Sequence, residues 1–373
     1  MTLPAAGQES SNARELAARA DHGAPEPGAP SRDATDGHAS TTGAAALRVA
    51  GLLLLLGAAM VLAVRLGAVS LSLREVVDGV LGRGDPTTVT IVRQLRLPRA
   101  VQAALVGAAL AVSGTTFQAL VRNPLAEPYL LGVSSGAAVG TVAAVVLGLA
   151  TAAAWVIPVA AFAGALVAIA LVFRIAYGVG RVLDTRVLLL SGVVVAAFFN
   201  ALILLLLTFS DIESFRSAVF WMMGSHAGAT WGNVLVLLGY VAPAAIVLAA
   251  LARPLDLLAL GEQTAAYLGT HVERTKLVAY ALASLLAAAA VAVSGVIGFV
   301  GLVVPHIARM LWGSSHRTLL PNAALLGASF LVLADLLARL VARPVELPIG
   351  VVTAFLGVPF FVWLLRQRGG GAR

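Results

Sequence analysis

The residues of this chain that could carry out chemistry are few and scattered. The sequence has no cysteine, so disulfides and thiolate metal sites are excluded. Four histidines stand apart from one another and from any HExxH pattern: His226, His271, His306 and His316. Because zinc sites use clustered ligands, we expect these histidines to be polar residues near helix ends. We predict no metal site and no cofactor in this chain.

The single lysine, Lys276, does not belong to a nucleotide-binding loop. A P-loop has the pattern GxxxxGK[ST], and no stretch of the sequence matches it. The chain also shows no constellation of nucleophile, base and acid. We therefore predict that the chain is not an enzyme, and that any ATP-driven step, with its ATP and magnesium, belongs to a separate polypeptide.

One carboxylate, that of Asp335 in "LADLLAR", lies inside an apolar run. A lone carboxylate at the centre of a membrane helix costs about 2.5–3.5 kcal/mol. Arg339 follows four residues later, one helical turn away, where it can pair with Asp335. We interpret the two residues as a structural ion pair, because proton-coupled carriers usually place several acids or histidines within their spans.

Arginines cluster in two short stretches, "VRQLRLPRA" with Arg93, Arg96 and Arg99, and "ARLVARPVELP" with Arg339 and Arg343. Such clusters can bind an acidic partner protein. Alternatively, they are ordinary arginines that extend from helix ends toward the lipid headgroups. The residues by themselves favour neither interpretation.

The elements that position these residues are apolar helices. Hydrophobic residues make up 60% of the 373 residues and charged residues 12%, and the mean hydropathy is +0.94. Soluble domains have about 25% charged residues, and an apolar run of about 20 residues spans a bilayer as a helix. We predict an all-α polytopic membrane protein with ten spans, near residues 44–66, 98–121, 129–149, 153–176, 187–208, 232–252, 277–296, 297–312, 319–342 and 347–365.

Residues 1–46 differ from the rest, with three arginines, six acidic residues and no apolar periodicity. This composition predicts a disordered cytoplasmic tail, followed by a transmembrane domain over residues 47–373. An even number of spans places both termini on one side. With the termini inside, 16 of the 25 lysines and arginines face the cytoplasm, as the positive-inside rule expects. The net charge of +7 then indicates anionic lipid as its counterpart, and not nucleic acid.

A polar interruption, "LDLLALGEQTAAYLG", follows the sixth span. The pattern predicts two short helices broken at Gly261 and ended by Gly269. The residues expected to face outward are Gln263, Thr264, Tyr267 and Leu268. Two small residues, Ala265 and Ala266, would allow another surface to approach closely. The segment suits a groove in a partner protein, or it is an interfacial amphipathic helix without a partner.

A second polar interruption, "VRNPLAEPYLLGVSSGAAVG", covers residues 121–140. Pro124 and Pro128 predict a stiff turn, and the small residues after it allow tight helix packing. The turn could form a constriction at the inner mouth of a pathway, or it is a rigid loop without a transport role.

The segment "FWMMGS", residues 220–225, contains the adjacent Met222 and Met223. Neighbouring residues of a helix do not share a face, and methionine usually fills gaps in packing. We therefore predict a short outer helix near the mouth of a pathway and no haem or metal ligand pair.

Five stretches of the sequence together resemble one known family, the FecCD permease subunits of type II ABC importers for iron-siderophores, haem and cobalamin. They run in family order from about residue 95 to the C-terminus, whereas the tail has no counterpart. The stretches are "RLPRAVQAALVGAALAVSGTTFQALVRNPLAEPYLLGVSSGAAVG", "FWMMGS", "RPLDLLALGEQTAAYLG", "GVIGFVGLVVPHIARMLWGSSHRTLLPNAALLGASFLVLADLLARL" and "ELPIGVVTAFLGVPFFVWLL".

The resemblance implies ten helices per subunit in the inner (cytoplasmic) membrane of a bacterium. It also implies a second permease subunit, identical or paralogous, two cytoplasmic ABC ATPase subunits and an outer substrate-binding protein. Coupling to the ATPase falls within about residues 254–275, on Gly261, Glu262, Gln263, Thr264, Ala265, Ala266, Leu268 and Gly269. The cytoplasmic gate falls on Asn123, Pro124, Leu125, Thr185 and Arg186. Docking of the binding protein falls on Arg96, Arg99 and Arg339.

We therefore expect a permease subunit that moves ferric-siderophore complexes across the membrane by alternating access, powered by the separate ATPase. The same machinery carrying haem or cobalamin is an open alternative. An ion-coupled secondary transporter is an alternative of another class.

Overall fold

The computed structural model describes residues 33–67, 69–153, 155–179 and 183–369. Contacts divide the chain into two units, Met1–Val49 and Ala50–Arg373. Most of the predicted disordered tail, residues 1–32, lies outside the described residues, whereas residues 33–46 belong to the first helix. The described residues form helices, turns and loops and contain no strand, so the all-α prediction is confirmed.

The helices follow one another with short connections. In chain order they are α1 (Asp33–Arg65), α2 (Leu73–Leu81), α3 (Pro86–Thr90), α4 (Leu97–Val121), α5 (Val133–Val146), α6 (Val156–Val179), α7 (Thr185–Thr208), α8 (Ile212–Met222), α9 (Trp231–Ala250), α10 (Ala252–Leu260), α11 (Glu262–Tyr267), α12 (Val272–Ser294), α13 (Val300–Trp312), α14 (His316–Leu340) and α15 (Ile349–Gly369). A π-helical turn, Ile91–Arg96, joins α3 to α4, so the second span begins before its predicted start at residue 98.

Each predicted span corresponds to an apolar helix. Among the described residues, seven helices are long and apolar enough to cross a membrane. Three shorter apolar helices, Val133–Val146, Val300–Trp312 and Ile349–Leu364, lie where the third, eighth and tenth spans were predicted. The predicted division of residues 277–312 into two spans agrees with the structure, in which α12 ends at Ser294, Gly295 adopts φ 68° and α13 begins at Val300.

Helix α4 lies at the centre of the bundle, in contact with α9, α12, α13 and α14. Its residues are buried on every side from Ala109 to Leu120, including the polar residues Ser113, Thr115, Thr116 and Gln118. Gly107 of α4 faces Gly327 of α14, and a Cβ on either would overlap the carbonyl oxygen of the other. The absence of side chains at these positions lets the two backbones touch.

The loops gather at two opposite ends of the bundle. At one end, here the α11 end, the loops after α4, α6, α10 and α13 line shared cavities. At the other, the α2 end, Arg96 Nη1 donates to the Val64 carbonyl (2.8 Å) and Trp231 Nε1 to the Arg93 carbonyl (2.8 Å). Successive spans therefore run in alternating directions.

Candidate coupling, gate and docking sites

The coupling segment at the α11 end has the predicted local structure. Helix α10 ends at Leu260 and α11 begins at Glu262, and Gly261 between them adopts φ 132° and ψ 149°. Gly269 follows α11 with φ 81°. Both backbone conformations favour glycine over residues with a side chain, which explains why the breaks occur at these two positions.

The outward face of α11 agrees with the sequence prediction except at one residue. Tyr267 is 90% exposed and Leu268 59% exposed, and Gln263, Thr264 and Ala266 are also exposed. Ala265 has no exposed surface and belongs to the main hydrophobic core. The expectation that Ala265 presents itself to a partner is therefore wrong, because this residue faces the helix's own bundle.

Two of the predicted gate residues lie beside the coupling segment. Asp184 caps α7 by accepting from the amides of Arg186 (2.7 Å) and Val187 (3.4 Å). The residues of this loop and the start of α11 face each other across a cavity of about 630 Å³. Its lining includes Arg122, Asp184, Thr185, Arg186, Gly261, Glu262, Gln263 and Thr264.

The other predicted gate residues form a tight turn after α4. Arg122 ends the helix in the left-handed conformation, with φ 53°. The Asn123 side chain accepts from the Leu125 amide at 2.9 Å, and Leu125 is 42% exposed. Asn123 and Pro124 line a separate cavity of about 500 Å³, and Arg122 lines both cavities. The gate function of the five residues stays a prediction.

Lys276 connects the coupling segment to the loop before α7. It is 2% exposed, and its ammonium donates to the Leu183 carbonyl and to Glu262 Oε1 (3.0 Å). Glu273 Oε2 accepts from the Leu183 amide at 3.0 Å. Sequence reasoning missed this cluster, although a lone lysine in an apolar chain was a signal that it has a specific partner.

Arg96, predicted to dock a partner, is turned into the fold. The residue is 9% exposed. Its guanidinium donates to the carbonyl oxygens of Val64 (2.8 Å), Arg65 (3.1 Å) and Val69. These bonds close the loop after α1 over the start of α4, so Arg96 does not present an exposed charge.

The other two docking candidates, Arg99 and Arg339, meet at Asp335. The carboxylate is 1% exposed and accepts from Arg99 Nη2 (2.9 Å) and Arg339 Nε (3.1 Å). Arg99 also binds Glu346 at 2.9 Å. The interpretation of Asp335 and Arg339 as an ion pair agrees with this geometry, which adds Arg99 to the pair. Docking by the three arginines stays a prediction. Within the chain, Arg99 and Arg339 pair with Asp335, and Arg96 binds backbone carbonyl oxygens.

An apolar cavity of about 540 Å³ lies where α8, the break after α12, and α15 meet. Met222 and Met223 line it together with Phe299 and Phe355. Its lining contains no histidine and no carboxylate. Met222 and Met223 thus lie at a cavity, on and just after the short helix α8.

The break between α12 and α13 is held by two side chains that sequence reasoning did not select. The Phe299 amide donates to Glu127 Oε1 at 3.1 Å, and the Tyr129 hydroxyl donates to the Ile297 carbonyl at 2.9 Å. Phe299 has φ 68°. Within a membrane, backbone groups freed from a helix need such partners. Both residues stand in "NPLAEPY", so the polar character of that stretch was the available signal.

Among the described residues, no group of three or more His, Cys, Asp or Glu side chains could hold a metal ion. The contacts described at these sites are hydrogen bonds, ion pairs and apolar contacts. Such an arrangement can position helices and line a passage.

Comparisons with known proteins agree with this architecture. The model of the FecCD transport family matches residues 53–367. YvrB of Bacillus subtilis (strain 168), an uncharacterised ABC transporter permease protein, is 45% identical over 296 residues, which are 79% of this chain and 84% of YvrB. BtuC, the vitamin B12 import system permease protein of Escherichia coli (strain E2348/69), is 45% identical over 285 residues, 76% of this chain and 86% of BtuC.

Two solved structures share the fold. A chain described as a metal-chelate type ABC transporter in an inward-facing conformation has a TM-score of 0.77 and 36% identity, covering 86% of this chain and 98% of its own. PsaBC from Streptococcus pneumoniae in complex with Fab has a TM-score of 0.52 and 17% identity, covering 78% and 94%, and shows likeness of fold alone. The chain therefore belongs to the FecCD transport family, and it is a multi-pass permease subunit of an ABC importer and not a catalytic enzyme.

Proposed function

We propose that this permease imports a large metal chelate, with a ferric-siderophore complex as the first candidate. The observation that carries the proposal is the apolar cavity of about 540 Å³, whose lining offers no histidine or carboxylate. A metal whose coordination positions are filled by its chelator needs a passage without competing ligands. The 36% identity to the chain described as a metal-chelate type ABC transporter supports the same substrate class.

Cobalamin is the second candidate, and it is also a metal chelate. The 45% identity to the vitamin B12 import permease BtuC favours it. Haem remains a third member of the class, without a specific observation in its favour.

We further propose that α11 seats in a groove of a cytoplasmic ABC ATPase. The α11 end exposes three apolar side chains close together in the sequence, Leu260 (70%), Tyr267 (90%) and Leu268 (59%). Exposed apolar side chains on a short helix are typical of helix-in-groove binding. The partner binds ATP and magnesium, and its closure moves α11 and opens the gate. A second permease subunit and an outer binding protein complete the importer in the inner membrane of a bacterium.

Reconstitution tests the transport proposal. The permease is purified with its ATPase and its binding protein, placed in vesicles, and assayed for uptake of radiolabelled ferric siderophore, cobalamin and haem. We expect uptake of one chelate that requires both ATP and the binding protein. Uptake that survives removal of ATP and collapses with a protonophore would show an ion-coupled carrier and reject the importer mechanism.

Truncation of Tyr267 tests the docking of α11. Truncating an aromatic side chain that anchors a protein interface costs about 2 kcal/mol or more of binding free energy, so Tyr267→Ala should weaken ATPase binding about 30-fold or more. The measurement is the amount of ATPase that co-purifies with the permease. Ile212→Ala is the matched control, because Ile212 is 88% exposed at the α2 end. Equal ATPase recovery with both variants would argue against α11 as the docking helix.

A further inference from the structure

Lys276 is the only lysine of the chain, and it is buried near the start of α12. An ammonium group removed from water is unfavourable unless acceptors surround it. Here the acceptors are the Leu183 carbonyl, Glu262 Oε1 at 3.0 Å and, at a longer 3.9 Å, Glu273 Oε1. The Lys276 ammonium is therefore buried at the α11 end, with two carboxylates and a backbone carbonyl around it.

These acceptors belong to three different elements. Glu262 is the first residue of α11, Glu273 lies on α12, and Leu183 lies in the loop that leads to Thr185. The Leu183 side chain is fully buried, and its amide is bound by Glu273 at 3.0 Å. Leu183 is thus bound to α12 through its amide, which donates to Glu273, and through its carbonyl, which accepts from Lys276. Lys276 also binds Glu262 of α11.

A second bond continues the connection toward the gate. Tyr280, one helical turn after Lys276, donates its hydroxyl to Thr185 Oγ1 at 3.4 Å. In contrast, the loop and the start of α11 face each other across the cavity of about 630 Å³. The side-chain bonds described between α11 and this segment run from Glu262 through Lys276 to Leu183, and they offer a direct route for a displacement of α11.

We propose that Lys276 is a positioning residue that transmits the movement of α11 to residues 183–186, where α7 begins. The proposal rests on the proposed function, in which an ATPase moves α11. Lysine suits the role because its ammonium has three donors on a flexible stem, so it can hold Glu262 and Leu183 together while their separation changes. Energetic coupling of two sites through such a network is typically worth a 5- to 150-fold effect, as an order of magnitude.

The test compares Lys276→Met with the parent in the full complex of permease, ATPase and binding protein in vesicles. Two quantities are measured in parallel, ATP hydrolysed and chelate taken up. We expect the ATPase to stay bound and hydrolysis to continue, while chelate taken up per ATP falls about tenfold. Lys276→Arg should recover part of the yield, because arginine keeps a positive charge and hydrogen-bond donors. Methionine keeps only the approximate volume of the lysine side chain. Arg174→Met is the matched control, since it removes an exposed basic charge from α6, outside the predicted coupling and gate residues, and its yield should equal that of the parent.

A partner variant keeps the test decisive if Lys276→Met does not fold. Glu262 is 39% exposed in its side chain, so Glu262→Gln is expected to fold and to lower the yield per ATP. In the double variant the loss should not exceed that of Lys276→Met, because both changes break one connection. An unchanged yield in Glu262→Gln and Lys276→Met, or loss of ATPase binding in place of loss of yield, overturns the proposal. Absence of ATP-driven uptake by the parent complex would instead reject the proposed function.

Discussion

At the residue scale, the α2 end is held by a cluster of four charges. Asp335 and Glu346 carry the negative charges, and Arg99 and Arg339 the positive ones. Arg339 Nη2 also donates to the Ala63 carbonyl at 3.2 Å, so the cluster reaches α1. Asp335 is the member that touches both arginines, and it is buried from solvent.

Neutralising Asp335 should destabilise the protein strongly. In Asp335→Asn, two largely buried guanidinium groups lose their shared counter-charge, and removing one partner of a buried ion pair costs about 3–5 kcal/mol. The melting temperature of the purified permease in detergent measures the effect. Glu346→Gln is the control: its side chain is 46% exposed, and an exposed pair is worth about 1 kcal/mol or less. Similar melting temperatures for both variants would contradict the assignment of Asp335 as the centre of the cluster.

His226, in the loop before α9, should make stability depend on pH. Burial lowers the pKa of its imidazole from 6.5 to about 4, against the opposing attraction of Asp335 and with repulsion from Arg99 and Arg339. The unfolded chain binds a proton near pH 6.5 and the folded chain does not, so the free energy of unfolding should fall as the pH drops from 6.5 to about 4. His226→Asn keeps an acceptor near Gln102, which contacts His226 Nδ1 at 3.2 Å. Its melting temperature should fall less steeply over this pH range, and an unchanged slope would speak against a buried neutral imidazole.

At the element scale, close helix contacts decide how the bundle is built. The crossing of α4 and α14 depends on Gly107 and Gly327, and the crossing of α4 and α13 depends on Gly114 and Gly301. In each case the backbones are in contact where a methyl group would not fit. Since α4 is the central helix and contacts α9, α12, α13 and α14, a shift of α4 at either crossing would displace these helices as well.

Adding one methyl group at the α4–α14 crossing should therefore be costly. Gly107→Ala places its Cβ against the Gly327 carbonyl, and overpacking of this kind costs about 1–3 kcal/mol. Gly57→Ala in α1 adds the same group where no other atom lies within 4 Å, and it should leave stability unchanged or slightly higher. Thermal unfolding of the two variants gives the comparison. A Gly107→Ala protein as stable as Gly57→Ala would mean that the helices are further apart than described.

At the scale of the whole molecule, the two ends differ in character. The α11 end carries the predicted coupling segment, with its exposed apolar side chains, and a polar cavity beside it, whereas the α2 end carries the charged cluster of Asp335. Alternating span directions place the two ends on opposite sides of the membrane. The positive-inside bias predicts that the α11 end is cytoplasmic.

Single cysteines give a direct measurement of this orientation, because the natural chain has none. Ile212→Cys lies at the α2 end and Tyr267→Cys at the α11 end, and both positions are about 90% exposed. A membrane-impermeant maleimide should label Ile212→Cys in intact cells and Tyr267→Cys after the membrane is opened. The reverse pattern would show that the termini lie outside and that α11 cannot meet a cytoplasmic ATPase.

The spans and the coupling segment were predictable because their signals are local. Apolar runs mark the helices, and Gly261, Gly269 and Gly295 mark breaks through backbone conformations that glycine adopts readily. The outward position of Tyr267 also followed from local pattern. Ala265 was misplaced because small residues fit equally well on a docking face and in a tight helix contact.

Local patterns predicted which segments are helices and where they break, and the resemblance of five stretches to the FecCD family identified a membrane permease. The tertiary structure decided which charges meet. Arg99 and Asp335 are 236 residues apart, and Lys276 and Leu183 are 93 residues apart. Such pairs depend on how the helices pack and not on sequence neighbours, which is why the contacts of Arg99 and Lys276 inside the fold could not be predicted from local pattern.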